Sequence, residues 1–244
     1  LANIGFTKPK TIHHIFKQPL SYTKVSMPSI QYFTERLQQL TKLDPTFQAF
    51  GAAEHQYQLN PILDIQAIRA IENQYGIQLP EDYVWFLSQV GNGGAGPFYG
   101  LYALEDSLEV HTDFGSPMSL NTPFPLTQAT LPNEAQLSLL EDQLEAAQET
   151  GDEDMENELY ERYQALLFPA EWANGYLHLC DYGCGISFFL VITGEDAGTV
   201  WENRAVDAVG LMPSTEFGNT VKLGFLEWYQ LWLDLALANL GKMD

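Results

Sequence analysis

Cysteine is nearly absent. Cys180 and Cys184 are the only two in 244 residues, and no Asn-x-Ser/Thr sequon accompanies them. That scarcity argues against a secreted disulfide scaffold and sets a cytoplasmic location as the expectation. Long apolar runs are missing as well. The longest uncharged one, Gly185 to Gly194 (GISFFLVITG), is ten residues, against the roughly 20 a membrane helix requires. The opening decapeptide LANIGFTKPK has no basic segment followed by an apolar stretch, so it does not read as a signal peptide. Its first residue is Leu rather than Met, which is compatible with a start inside a longer polypeptide.

Positive charge is the third scarcity. Eleven Lys and Arg face 32 Asp and Glu, for a net charge of −21. Residues 1–50 hold six of the basic residues (Lys8, Lys10, Lys17, Lys24, Arg36, Lys42) against Glu35 and Asp44, a balance of +4, so residues 51–244 carry −25. Such a field repels nucleic acid and anionic membranes and speeds encounter with basic partners. Direct binding to nucleic acid or membrane is therefore not expected. Solubility alone is the simpler use of the same charge. Apolar material is not lacking: 45% hydrophobic and 13% aromatic residues can bury a sizeable core.

Residues 1–28, interrupted by Pro9, Pro19 and Pro28, read as an extended arm. Ser29 reads as an N-cap, and Ile30, Phe33, Leu37 and Leu40 recur at helical spacing, predicting a first helix to about Leu43. Asn60-Pro61 is expected to open a second helix, with Ile65, Ile68, Ile71 and Tyr75 lining one face and Gly76 at its end. Pro80 starts a third, with Tyr83, Phe86, Leu87 and Val90 inward, stopping at Gly91-Asn92-Gly93-Gly94. FYGLYAL from Phe98, then YLHLC, ISFFLVIT and GTVWEN, are short aromatic and β-branched runs expected to form an antiparallel sheet. Between the first two lies a loop marked by Pro117, Pro123, Pro125 and Pro132. It is followed by an acidic helical pair with Leu137, Leu140, Leu144 and Ala147 on one helix and Met155, Leu159, Tyr163 and Leu166 on the other. Residues 132–162 hold eleven carboxylates against Arg162 alone. Leu223 to Leu240 predicts a buried closing helix through Phe225, Trp228, Trp232, Leu235 and Leu240, widened by Leu226, Tyr229 and Leu233.

Chemical motifs are few. GNGGAG (Gly91 to Gly96) matches the dinucleotide fingerprint in letters, but a helix precedes it where a strand is required, so a turn is the better reading. His178, Cys180 and Cys184 form H-x-C-x3-C, three possible zinc ligands without a second pair; in the alternation of YLHLC, His178 and Cys180 share a face, and core packing is the alternative. DEDMENELYERY from Asp152 lacks the Gly and Glu that define a calcium loop and reads as a solvated acidic helix. There is no G-x-S-x-G elbow, and His13-His14, His55 and His111 lie in separate segments.

Ile68 to Gly94, IRAIENQYGIQLPEDYVWFLSQVGNGG, resembles the N-terminal signature of the SUKH superfamily, through Ile71, Glu72, Gly76, Leu79, Pro80, Tyr83, Phe86, Leu87, Asn92, Gly93 and Gly94. That superfamily includes yeast cell-wall-assembly regulators and bacterial immunity proteins. DYGCGISFFLVITGEDAGTVWEN (Asp181 to Asn203) is similar to its strand, turn and Gly-x-Val-Trp segment, and FLEWYQLWLDLAL (Phe225 to Leu237) to the closing helix of bacterial members. The resemblance implies an α+β fold with a central antiparallel sheet packed against helices, and toxin neutralisation in bacterial polymorphic toxin systems. It carries over no catalytic role and no cofactor.

The expected organisation is an arm and helix over 1–50 and a SUKH-like α+β domain over 51–244, with an acidic helical insertion at 132–168. The expected function is an immunity protein, not an enzyme, that binds a cognate protein toxin with a basic nuclease domain. Asp142, Glu145, Asp152, Glu153, Asp154, Glu156 and Glu158 are the expected contacts. Electrostatic matching of this kind raises association rate and selects partners. The alternatives are a regulatory scaffold for a cellular protein and a metal-dependent enzyme using His178, Cys180 and Cys184.

Overall fold

The structure, a computed structural model, describes residues 28–110, 119–130 and 133–242. The arm expected over residues 1–28, apart from Pro28, lies outside these residues, as do His13, His14, His111, Pro117 and Pro132. Among the described residues the chain is α+β, with eight α-helices and one four-stranded antiparallel sheet.

Helix α1 (Ile30–Leu43) starts where Ser29 Oγ accepts the Tyr32 N–H at 3.3 Å and buries Phe33, Leu37 and Leu40. A short α2 (Ala52–His55) follows. Helix α3 (Ile65–Tyr75) ends at Gly76 as expected, but it opens four residues late. Asp64 is its cap, accepting the Gln66 N–H at 2.7 Å, because Asn60 is committed elsewhere: its side chain donates to Asn92 O at 3.0 Å and its main chain to Gly93 O. Helix α4 (Glu81–Gln89) follows Pro80 and buries Tyr83, Phe86 and Leu87.

FYGLYAL is not a strand. Gly94 and Leu101 form one isolated bridge, Phe98 has a positive φ of 55°, and the chain turns into helix α5 (Leu104–Val110). The cause is Asn92, whose Oδ1 accepts the Leu104 N–H at 2.8 Å and so starts a helix where the sequence alone reads as sheet. The acidic pair is present as α6 (Glu134–Thr150) and α7 (Glu153–Leu167), joined at Gly151.

The sheet is a meander in the order β1 (Tyr176–Gly183), β2 (Ile186–Val191), β3 (Val200–Arg204) and β4 (Gly210–Pro213). On one face, Leu177, Leu179, Phe188, Leu190 and Val200 join the main core with α1, α4 and helix α8 (Phe225–Leu240). On the other, Tyr176, Phe189, Val191, Trp201 and Leu211 pack with Phe124. Every residue of β2 is buried, which is why ISFFLV reads as a continuous apolar run and not as an alternation.

Candidate protein-interaction surface

The polar residues of the family-like signature are committed to the backbone. Glu72 is buried, accepting the Leu79 N–H at 2.8 Å and pairing with Arg69, so it holds the turn that leads into Pro80. Asn92 caps α5 and also donates to Glu105 at 2.9 Å. In the Gly-x-Val-Trp segment, Asp196 accepts the indole N–H of Trp201 at 2.9 Å and pairs with Lys222 at 2.6 Å. These carboxylates and amides pin turns, and their hydrogen-bonding capacity is spent inside the framework.

The three candidate zinc ligands are not brought together. A β-bulge interrupts β1 after His178: His178 pairs with Phe189, whereas Cys180 pairs with Phe188. Adjacent residues of β2 face opposite ways, so Cys180 enters the main core while the His178 ring meets Tyr176 on the other side of the sheet. The shared face expected from YLHLC is thus overturned by one extra residue. Cys184 sits exposed in the β1–β2 turn at φ 53°. Burial pushes the His178 imidazole down to about 4 and the Cys180 thiol well up, as for core residues. Among the described residues no group of three His, Cys, Asp or Glu side chains is placed to hold a metal ion.

The expected contact residues all lie on the acidic hairpin. Asp142 and Glu145 are exposed on α6; Glu153, Asp154 and Glu158 are exposed on α7, and Glu156 is half-buried. Two also have local work: Asp152 caps α7 by accepting the Met155 N–H at 3.1 Å, and Glu156 accepts from Gln148 at 2.9 Å. Leu140, Ala147 and Leu159, with Leu144, Tyr163 and Leu166 against them, form a small core of their own, distinct from both sheet cores. That core joins the two helices to each other, while Leu139, Met155 and Tyr160 stay exposed beside the carboxylates, Met155 among them although its spacing predicts it on the apolar face. An apolar groove of about 450 Å³ runs between its helices, lined by Leu139, Leu140, Leu166 and Arg162 among others.

A second surface feature has no counterpart among the expected site residues. A cleft of about 340 Å³ is lined by Glu54, Tyr99, Gly100, Leu101, Tyr102 and Asp181. Beside it the Phe50 ring, 56% exposed, lies 5.3 Å from Tyr99 and 5.2 Å from Tyr182. In sequence these residues are scattered over 130 positions, and FYGLY reads as strand interior; the one available signal was an aromatic-rich run between glycines.

A buried acid–base cluster completes the electrostatics. Burial pushes the Glu202 carboxyl up to about 7, with Arg204 opposing and Glu216 adding to the shift. Arg204 pairs with Glu202, Asp207 and Glu216, so its charge is used within the fold.

A two-sided antiparallel meander, covered by helices and pinned by carboxylates turned onto backbone amides, defines an α+β scaffold. The model of the SMI1 / KNR4 family (SUKH-1) matches residues 62–220, more than half of the chain, and the chain belongs to that family. The matched span takes in the signature, the acidic hairpin and the Gly-x-Val-Trp segment. No curated protein and no solved structure matches the chain. Among the described residues no helix is long and apolar enough to cross a membrane.

Proposed function

We propose that this chain is an immunity protein that binds a cognate toxin domain of a bacterial polymorphic toxin system, in the cytoplasm, and neutralises it by occlusion rather than by catalysis. The toxin is a nuclease whose substrate-binding surface is basic. The observation that carries this reading is the acidic hairpin. Eleven carboxylates over residues 132–162 face Arg162 alone, on two helices that share a small core of Leu140, Ala147 and Leu159. Membership of the SUKH-1 family supports a protein-binding role. Asp142, Glu145, Asp152, Glu153, Asp154, Glu156 and Glu158 are the proposed contacts, and no cofactor takes part.

The test is co-expression with whatever toxin domain its neighbouring genes encode, followed by binding measured over a salt series; a neighbourhood without one speaks against the reading. Growth rescue and co-purification are expected. Charge reversal at Asp142, Glu145, Glu153 and Glu158 should weaken binding and flatten its salt dependence without lowering Tm. Unchanged affinity at every salt concentration removes the hairpin from the interface. The second reading is a regulatory scaffold, favoured by the resemblance to yeast regulators. A housekeeping or signalling protein as the sole co-purifying partner would establish it instead.

A further inference from the structure

The cleft beside Phe50 is built from separate parts of the chain that are tied together by hydrogen bonds and close packing. Asp44 accepts the N–H groups of Gln48 and Ala49, at 2.7 and 3.0 Å, and the Tyr57 hydroxyl at 2.8 Å, fixing the loop that presents Phe50. The next residue, Gly51, has φ 75°, and a Cβ there would fall 1.8 Å from Phe98 O, so the loop is pressed directly onto the segment below. Phe98 in turn stacks on Phe188 of β2 with centroids 4.8 Å apart. The exposed Phe50 ring meets Phe98 edge-on with centroids 6.4 Å apart and so rests on the sheet through one buried ring, with Tyr99 against it. Exposed aromatics held this firmly lose little entropy on contact and are the residue types that dominate protein interfaces.

The cleft itself has bare backbone at Gly100 and two carboxylates, Glu54 and Asp181, in its lining. Asp181 Oδ2 accepts the Tyr102 hydroxyl, and among the described residues no donor is found for Oδ1. Glu54 is exposed on α2. Neither carboxylate is ion-paired among the described residues: Arg36, Arg69, Arg204 and Lys222 are engaged with Asp234, Glu72, the Glu202–Asp207–Glu216 group and Asp196. Two unneutralised carboxylates next to exposed aromatic faces suit one chemistry above others. A guanidinium is planar, donates in a fork to carboxylates and stacks on aromatic rings, while its aliphatic stem covers apolar surface. A volume of about 340 Å³ stands at the small end of ligand clefts, roughly 300–1,000 Å³, which suits a side chain.

We propose that this cleft receives an arginine side chain presented by the protein partner, with its guanidinium on Asp181 and Glu54 and its plane against Tyr99 and Phe50. The inference rests on the reading of the chain as a protein-binding one and adds a second contact, separate from the hairpin. It places a specific anchor on a framework surface, in addition to the hairpin's charged contacts.

The test uses the full chain alone, so that its outcome is independent of any toxin. Blocked arginine (N-acetyl-arginine amide) is titrated into isotope-labelled protein and followed by NMR, with blocked citrulline as the uncharged isostere. Saturable shift changes confined to Phe50, Glu54, Tyr99–Tyr102 and Asp181 are expected for arginine, with a dissociation constant on the order of millimolar. The combined Glu54→Gln and Asp181→Asn variant keeps the shape and the Tyr102 acceptor, and it should weaken binding roughly tenfold. Tyr99→Leu should weaken arginine binding while leaving the carboxylates in place. Equal binding of citrulline, shift changes centred on the hairpin, or no saturable change overturns the proposal. Arginine binding without toxin capture would retain the cleft and reject the immunity reading; toxin capture without arginine binding would do the reverse.

Discussion

The Asp82 carboxylate, in the first turn of α4, accepts the main-chain N–H of Leu226 at 3.1 Å, in the first turn of α8, across 144 residues of sequence. The same side chain accepts the Tyr83 N–H at 2.9 Å. One carboxylate therefore serves the amino ends of two helices whose aromatic faces meet at Tyr83, Phe86, Phe225 and Tyr229. Burial raises its pKa, and the nearby Glu227 adds to the shift, while the amide hydrogen bonds oppose it. Asp82→Ala should lower stability by about 1–2 kcal/mol, and Asp82→Asn by less, since the amide oxygen still accepts. Urea unfolding at neutral pH measures both. Coincident curves would show that the α8 terminus is satisfied without Asp82.

Gly93 stands at φ 79°, and a Cβ there would lie 2.4 Å from Tyr102 O. Both the left-handed backbone and the close approach exclude a side chain. Gly93→Ala should destabilise by more than about 2 kcal/mol and lower Tm by several degrees. A Tm within a degree of the parent would mean that the turn can relax away from the Tyr102 segment.

Glu202 makes stability fall as pH rises. Its folded pKa of about 7 lies above the ordinary 4.5, so the native state holds the proton more tightly than the unfolded chain does. Its stabilising contribution is complete below about pH 4.5 and is lost as pH climbs through about 7, on the order of 3 kcal/mol in all. Glu202→Gln should remove that part of the slope. Chemical unfolding of both proteins at pH 5 and pH 8 gives the comparison, and parallel pH profiles would contradict the assignment.

His55 acts in the opposite sense. Burial pushes its imidazole down to about 4, and its Nδ1 accepts the Tyr57 N–H at 3.0 Å, so the folded state keeps it neutral with the proton on Nε2. Its contribution is present above pH 6.5 and is lost as pH falls toward about 4. An NMR titration should show the Nε2–H tautomer throughout and no protonation until about pH 4. A midpoint near 6.5 would mean an imidazole open to water.

Local patterns were legible wherever one residue's preference met no competitor. Ser29, Gly76, Pro80 and Gly151 mark helix ends in the sequence and mark them in the fold. The apolar faces of α1, α4 and α8 are those that the spacing of Phe33, Phe86 and Trp228 predicts. Misreadings arose where two capable residues competed for one role. Asn60 and Asp64 can both cap a helix, and Asp64 does so because Asn92 takes the Asn60 side chain. The strand reading of FYGLYAL failed for the same reason, since Asn92 captures Leu104. The bulge at Cys180 leaves no mark in YLHLC, because either face of that strand meets a buried layer.

By itself the sequence determined the helix boundaries set by single caps, the aromatic core and the acidic segment, since each depends on neighbours within a turn or on composition. Only the tertiary structure decided that His178 and Cys180 part to opposite faces, and that Glu54, Tyr99 and Asp181 converge on one cleft beside Phe50. Those outcomes hang on strand register and on contacts across more than a hundred residues, which a linear pattern of residue types does not encode.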